Sequence, residues 1–143
     1  MQEPAFTDTT QIGIVVRDLD ATIRRYADDY GIGPWDVHEF HVGEAEAFRQ
    51  YGRPAEGAWR LATTMVGGVQ WELIQPLDAD SVYARFLASR GEGVHHIQVA
   101  TPDFDAAVAT GEVIYDGTFP FGRVAYLGTD ADLGVVIELF KRA

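Results

Sequence analysis

The chain has no cysteine among its 143 residues. Disulfides and thiolate chemistry are therefore excluded, and any metal it holds must be bound by nitrogen and oxygen. Cations are scarce as well. All but one of the eleven basic residues are Arg, scattered along the chain against 22 acidic residues, for a net charge of −11. With no basic stripe, a phosphate backbone finds no electrostatic footprint, and no nucleic-acid partner is expected. Long apolar runs are missing: nothing approaches the roughly 20 residues of a membrane helix, and Met1-Gln2-Glu3-Pro4 lacks the basic and apolar regions of a signal peptide. The expectation is a soluble, cytoplasmic protein with no membrane partner. A length of 143 residues gives room for one well-buried core and not for two, so residues 1–143 read as a single domain.

What the chain does have is an internal repeat. The run Gln11-Ile12-Gly13-Ile14-Val15-Val16-Arg17-Asp18-Leu19-Asp20-Ala21 matches His96-Ile97-Gln98-Val99-Ala100-Thr101-Pro102-Asp103-Phe104-Asp105-Ala106 without a gap. The offset that carries Gln11 onto His96 also carries Asp18 onto Asp103 and Asp20 onto Asp105. A second pair lies downstream, where Gly68-Val69-Gln70-Trp71-Glu72-Leu73-Ile74 matches Gly134-Val135-Val136-Ile137-Glu138-Leu139-Phe140. Gln11 is thus equivalent to His96, and Glu72 to Glu138.

Read in order, residues 1–8 form a loose arm and Thr9 to Val16 a strand with Ile12, Ile14 and Val16 facing the core and Gln11, Gly13 and Val15 opposite. Asp18 N-caps a helix that Gly31 stops. A strand over Trp35 to Val42 follows, with His38 and Phe40 sharing one side. Gly43 to Gly57, rich in glycine and charge, is unusually long for a connection and predicts a lid. Ala58 to Val66 and Val69 to Gln75 form a hairpin turning at Gly67-Gly68. This gives a first β-α-β-β-β unit over about 8–76, a connecting helix over about 78–91 and a second unit over about 93–141.

Strand alternation sets the chemistry. Gln11 and His96 share their faces with small or polar neighbours, while the alternate residues are Ile and Val; Glu72 and Glu138 lie opposite the apolar Val69, Trp71, Leu73 and Val135, Ile137, Leu139. Gln11, Glu72, His96 and Glu138 then converge from the concave face of one curved sheet, four metal-ligand candidates at equivalent places in a duplicated unit. His95 is expected to point the other way, toward the helices. His38 and His41 fall on opposite faces and are not a ligand pair, though His38 can line the cavity.

The paired units, the two strand openings and the Glu-Leu strand ends resemble the vicinal oxygen chelate superfamily, which includes glyoxalase I, methylmalonyl-CoA epimerase, extradiol dioxygenases and drug-resistance proteins. The resemblance spans roughly residues 8–141. It implies an α+β fold in which two β-α-β-β-β repeats form one curved, cupped mixed sheet with helices on the convex face. Gln11-Glu72-His96-Glu138 is similar to the ligand set of zinc-type glyoxalase I, whereas the segments 72–77 and 93–96 look more like methylmalonyl-CoA epimerase. Those epimerases usually carry His where Gln11 stands and a carboxylate base at or next to the place of Leu61.

The resemblance further implies a divalent metal, Zn, Ni, Co or Mn, that binds a carbonyl substrate while Glu138 or Glu72 moves a proton on the adjacent carbon. The expected activity is that of an isomerase, epimerase or glyoxalase-like lyase acting on a small, largely apolar oxo or thioester substrate. The competing reading is a non-catalytic small-molecule binding or drug-sequestering protein. Trp35, Phe40, Phe119, Phe121 and Tyr126 are placed near the cavity, with Phe48, Arg49, Tyr51 and Arg53 on the lid. A homodimer is expected because sheet edges and apolar helix faces need cover, and such folds can swap units between chains.

Overall fold

The fold follows from the duplicated local signals. In a computed structural model, which describes residues 4–143, Asp18 accepts a hydrogen bond from the Ala21 amide and starts α1 (Leu19–Tyr30). Its equivalent Asp103 does the same with the Ala106 amide and starts α3 (Phe104–Val108). Gly31, at φ 65°, ends α1, because a left-handed residue is needed to turn the chain away from the helix. No such residue helps α3, which is only 5 residues long.

The strands of the first unit are β1 (Asp8–Val15), β2 (Asp36–His41), β5 (Ala58–Val66) and β6 (Val69–Pro76). Those of the second are β7 (Gly93–Ala100), β8 (Val113–Phe119), β9 (Gly122–Leu127) and β10 (Val136–Arg142). Two short strands, β3 (Ala47–Gln50) and β4 (Arg53–Pro54), lie between β2 and β5, while α2 (Val82–Arg90) links the units and α4 (Asp130–Leu133) precedes β10. All ten strands form one mixed sheet in the order β2-β5-β6-β1-β7-β10-β9-β8-β3-β4. Each unit contributes the same pattern, with parallel β1–β6 and β7–β10 pairs inside and β1 antiparallel to β7 at the centre.

Leu19 and the α1 side pack over Val16, Ala62 and Leu73, and Phe104 on α3 packs over Ala125, Leu127 and Leu139. These two clusters cover the convex face. The largest cluster fills the concave side and takes in Val15, Phe40, Trp59, Tyr83, Tyr115 and Tyr126. Tyr83 belongs to α2, so the connecting helix closes one end of the cup. The expected N-terminal arm is tied down where it is described: Phe6 packs beside the α3 cluster and the Thr7 amide donates to the Ala100 carbonyl at 3.0 Å. Residues 1–3 of that arm lie outside the described residues.

The segment 43–57 is not a free lid. Its β3 adds to β8, at the edge of the sheet opposite β2. Phe48 is buried against Trp59 and Tyr115, with ring centroids 6.2 and 4.9 Å away, and Phe40 meets Phe119 across the cup at 5.2 Å. Gln50 is buried, donating to the Asp80 carbonyl and accepting from the Val82 amide at the start of α2. Strand pairing with β8 satisfies the backbone of a segment whose glycines and charges read as a loop. Of the four residues expected on the lid, Arg49, Tyr51 and Arg53 are exposed and Phe48 is core.

Candidate functional site

The four central strands carry the site. In the register of β1 with β6, Gly13 stands opposite Glu72; in that of β7 with β10, the equivalent Gln98 stands opposite Glu138. Across the central antiparallel pair, Gln11 faces Gln98 and Gly13 faces His96. The four candidates therefore come together on the concave floor. His96 Nε2 lies 3.1 Å from Gln11 Oε1, 3.3 Å from Glu72 Oε1 and 3.5 Å from Glu138 Oε2. His96 is fully buried, and Gln11 and Glu138 are nearly so.

Supporting amides aim these groups. Gln11 Nε2 donates to Gln70 Oε1 at 2.7 Å, which turns Gln11 Oε1 toward the imidazole. Gln98 Nε2 donates to Glu138 Oε2 at 3.0 Å, and Thr10 Oγ1 in turn donates to Gln98 Oε1 at 2.9 Å. Gly13 supplies room, since a Cβ at that position would overlap the His96 ring.

His95 reaches a helix, as expected, but through a bulge rather than simple alternation. The pairing of β1 with β7 skips from Gly13–His96 to Ile14–Val94, leaving His95 as the extra residue of a bulge. A bulge breaks strict alternation. His95 packs edge-on against Phe86 of α2, yet its Nδ1 lies 3.0 Å from His96 Nδ1. It is the partner of the ring nitrogen that faces away from the oxygens.

The donor set suits a divalent cation. Ligands held about 2.0–2.1 Å from a tetrahedral ion stand about 3.3 Å from one another, which is the spacing around His96 Nε2. One imidazole, two carboxylates and an amide oxygen fit Zn, Ni, Co or Mn. Among the described residues, no group of three or more His, Asp and Glu side chains forms a ready-made cage; the contacts radiate from His96 and include an amide.

Above this floor opens a cavity of about 670 Å³, walled by Phe40, Trp59, Phe119, Phe121, Tyr126 and Phe140. Of the five aromatics expected there, four line it. Trp35 does not: it packs on Tyr26 of α1 with ring centroids 5.7 Å apart, on the convex side. His38 and Leu61, paired across β2 and β5, also face the cavity, and His41 does not line it.

Comparison with known proteins agrees with this fold. The family model of the Glyoxalase/Bleomycin resistance protein/Dioxygenase superfamily matches residues 10–112. The chain belongs to this superfamily. Streptomyces coelicolor methylmalonyl-CoA epimerase in complex with 2-nitronate-propionyl-CoA is similar in structure, with a TM-score of 0.70 and 27% identity over 96% of this chain and 99% of that one. Methylmalonyl-CoA epimerase from Mycobacterium tuberculosis is similar at a TM-score of 0.70 and 26% identity over 100% of this chain and 93% of that one. No curated protein matches.

Electrostatics at this superfamily site are set by burial. Burial pushes the Glu138 carboxyl up to about 7, partly countered by the nearby His96 and reinforced by Glu72. Burial pulls the His96 imidazolium down, but Glu138 and Glu72 together reverse this and leave its pKa raised. His95 is held neutral, with burial and the charge of His96 both lowering its pKa. Burial raises the Tyr83 and Tyr126 hydroxyls, which share a 2.6 Å hydrogen bond. Gln70, Thr10 and the orienting role of Gln98 escape sequence reasoning, because an amide in a strand carries no signal until its cross-strand partner is known. Alternation from Glu138 would have reached Phe140 and Arg142, both of which line the cavity.

Proposed function

We propose that this chain is a metal-dependent enzyme that moves a proton next to a carbonyl group, as an isomerase or epimerase or, by closely related chemistry, a glyoxalase-like lyase. Its substrate is a small, largely apolar oxo or thioester compound. The observation that carries this reading is the set of three oxygens around His96 Nε2 at the floor of an aromatic cavity. The likeness to methylmalonyl-CoA epimerases at 26–27% identity supports it.

A divalent cation held by Gln11, Glu72, His96 and Glu138 would supply Lewis-acid polarisation of the carbonyl oxygen. The remaining work falls to the chain. Among the described residues, Glu72 and Glu138 are the only carboxylates lining the cavity, and Glu138 is the proposed base, with Glu72 as the second carboxylate able to take that role. Gln98 holds Glu138 by one oxygen and leaves the other unengaged by that amide. The aromatic walls exclude water, which strengthens every interaction at the floor. Leu61 and Thr63 occupy the wall beside Glu72 without an acid or base, so proton movement is assigned to the floor carboxylates.

The test pairs metal analysis of protein purified without chelator with deuterium exchange at the carbon next to the carbonyl, followed by NMR for oxo-acid and thioester probes. About one divalent ion per chain and metal-dependent exchange are expected. Metal with no exchange in any probe would favour the sequestering protein instead. No helix among the described residues is long and apolar enough to cross a membrane. A homodimer acting in the cytoplasm is the proposed working form, because Val94, Leu77 and Leu133 leave apolar surface open; a monomer in sedimentation at micromolar concentration would reject the dimer.

A further inference from the structure

We infer that the cavity takes a carbonyl compound whose apolar, aryl-sized body ends in a single anionic group held by Arg142, rather than a nucleotide thioester. The inference rests on the proposed proton-transfer chemistry for the placement of the carbonyl at the floor. The last strand acts as a ruler. Glu138, Phe140 and Arg142 alternate along β10 and all three line the cavity, while the intervening Leu139 packs into the convex cluster. At about 3.3 Å per residue, Arg142 sits roughly 13 Å along the strand from Glu138, and its long side chain can reach partway back. Between them stands a stack of rings: Phe121 lies 5.1 Å from Phe119 at an interplanar angle of 4° and 6.2 Å from Phe140. Such a wall favours a flat apolar body.

Charge selects the far end. Among the described residues, Arg142 is the only Lys or Arg that lines the cavity. Among the described residues it makes no ion pair; Arg24, Arg49, Arg53 and Arg85 make none either, but none of these lines the cavity. A guanidinium left unpaired in a chain of net charge −11 is suited to a carboxylate delivered by the ligand. One cation does not match the several phosphates of a nucleotide thioester, which the negative field of the chain would also repel.

The probes are 4-acetylbenzoate, its neutral isostere 4-acetylbenzamide, acetophenone and propionyl-CoA, with binding measured by calorimetry to the metal-loaded wild type, Arg142→Met and Arg142→Lys. Wild type should bind 4-acetylbenzoate about tenfold more tightly than the amide. Arg142→Met should erase that preference by weakening acid binding more than amide binding, and Arg142→Lys should keep part of it. Equal binding of acid and amide, a preference that survives Arg142→Met, tighter binding of propionyl-CoA than of 4-acetylbenzoate, or no measurable binding of any probe would overturn the inference. Deuterium exchange at the acetyl methyl group is scored separately. Its absence alongside an intact Arg142-dependent acid preference would reject the proton-transfer chemistry and keep the anion-binding end.

Discussion

The imidazole of His96 lies against Gly13, in the space that a Cβ on Gly13 would take. The two face each other across the antiparallel pair at the centre of the sheet. At the equivalent place in the second unit stands Gln98, whose amide reaches Glu138 instead. One half of the duplication thus supplies a space and the other a side chain, and the four candidate ligands meet because of both.

Gly13→Ala should push His96 off Gln11, Glu72 and Glu138. Overpacking a filled site costs about 1–3 kcal/mol, and metal should be lost from a protein that still folds. Elemental analysis beside thermal melting checks this; a fully loaded Gly13→Ala would show that His96 does not need that space.

The two adjacent histidines should separate in degree. His96→Ala removes the imidazole that faces the three oxygens and should abolish metal binding. His95→Ala removes the partner of His96 Nδ1, and loss of such an orienting contact lowers metal affinity by about 10–100-fold without abolishing it. Competition titration with a chromophoric chelator measures both, and equal loss in the two variants would contradict the assignment.

Without metal, stability should fall as pH rises. Glu138, raised from 4.5 to about 7, binds its proton more tightly in the folded chain than in the unfolded one. Its contribution is full below the unfolded value of 4.5 and is lost as pH rises through about 7. His96, raised above 6.5, acts in the same direction, with its contribution full below 6.5 and lost above its folded value. His95, held below 6.5, opposes them mainly at lower pH, so the chelator-treated protein should be more stable at pH 6.5 than at pH 8 by about 1 kcal/mol. Saturating zinc, which binds the deprotonated groups, should reverse that order. Melting curves at the two pH values, with chelator and with zinc, decide it.

Glu138→Gln should separate binding from turnover. The amide keeps an oxygen for the site and loses the proton acceptor, so exchange next to the carbonyl should drop by about 10²–10⁴-fold while part of the metal is retained. Unchanged exchange would transfer the base role to Glu72, which Glu72→Gln then tests by the same measurement.

Much of this is legible in the chain alone. The repeat is carried by residues at a constant offset, and strand alternation is a local property of period two, so Gln11, Glu72, His96 and Glu138 could be placed on one face from the chain alone. The capping residues Asp18 and Asp103 were equally legible, because an N-cap contacts an amide only three residues away. Tertiary structure decided what depends on distant strands. The bulge that brings His95 against His96 exists only in the register of β7 on β1. The segment 43–57 becomes sheet only because the edge of β8 is open to it. Gln70, Thr10 and Gln98 acquire their roles from partners across the sheet, and Arg142 becomes the one guanidinium among the described residues to line the cavity only when β10 is placed between β7 and β9. Each of these is a contact between residues far apart in the chain, and such contacts are set by packing rather than by local sequence preference.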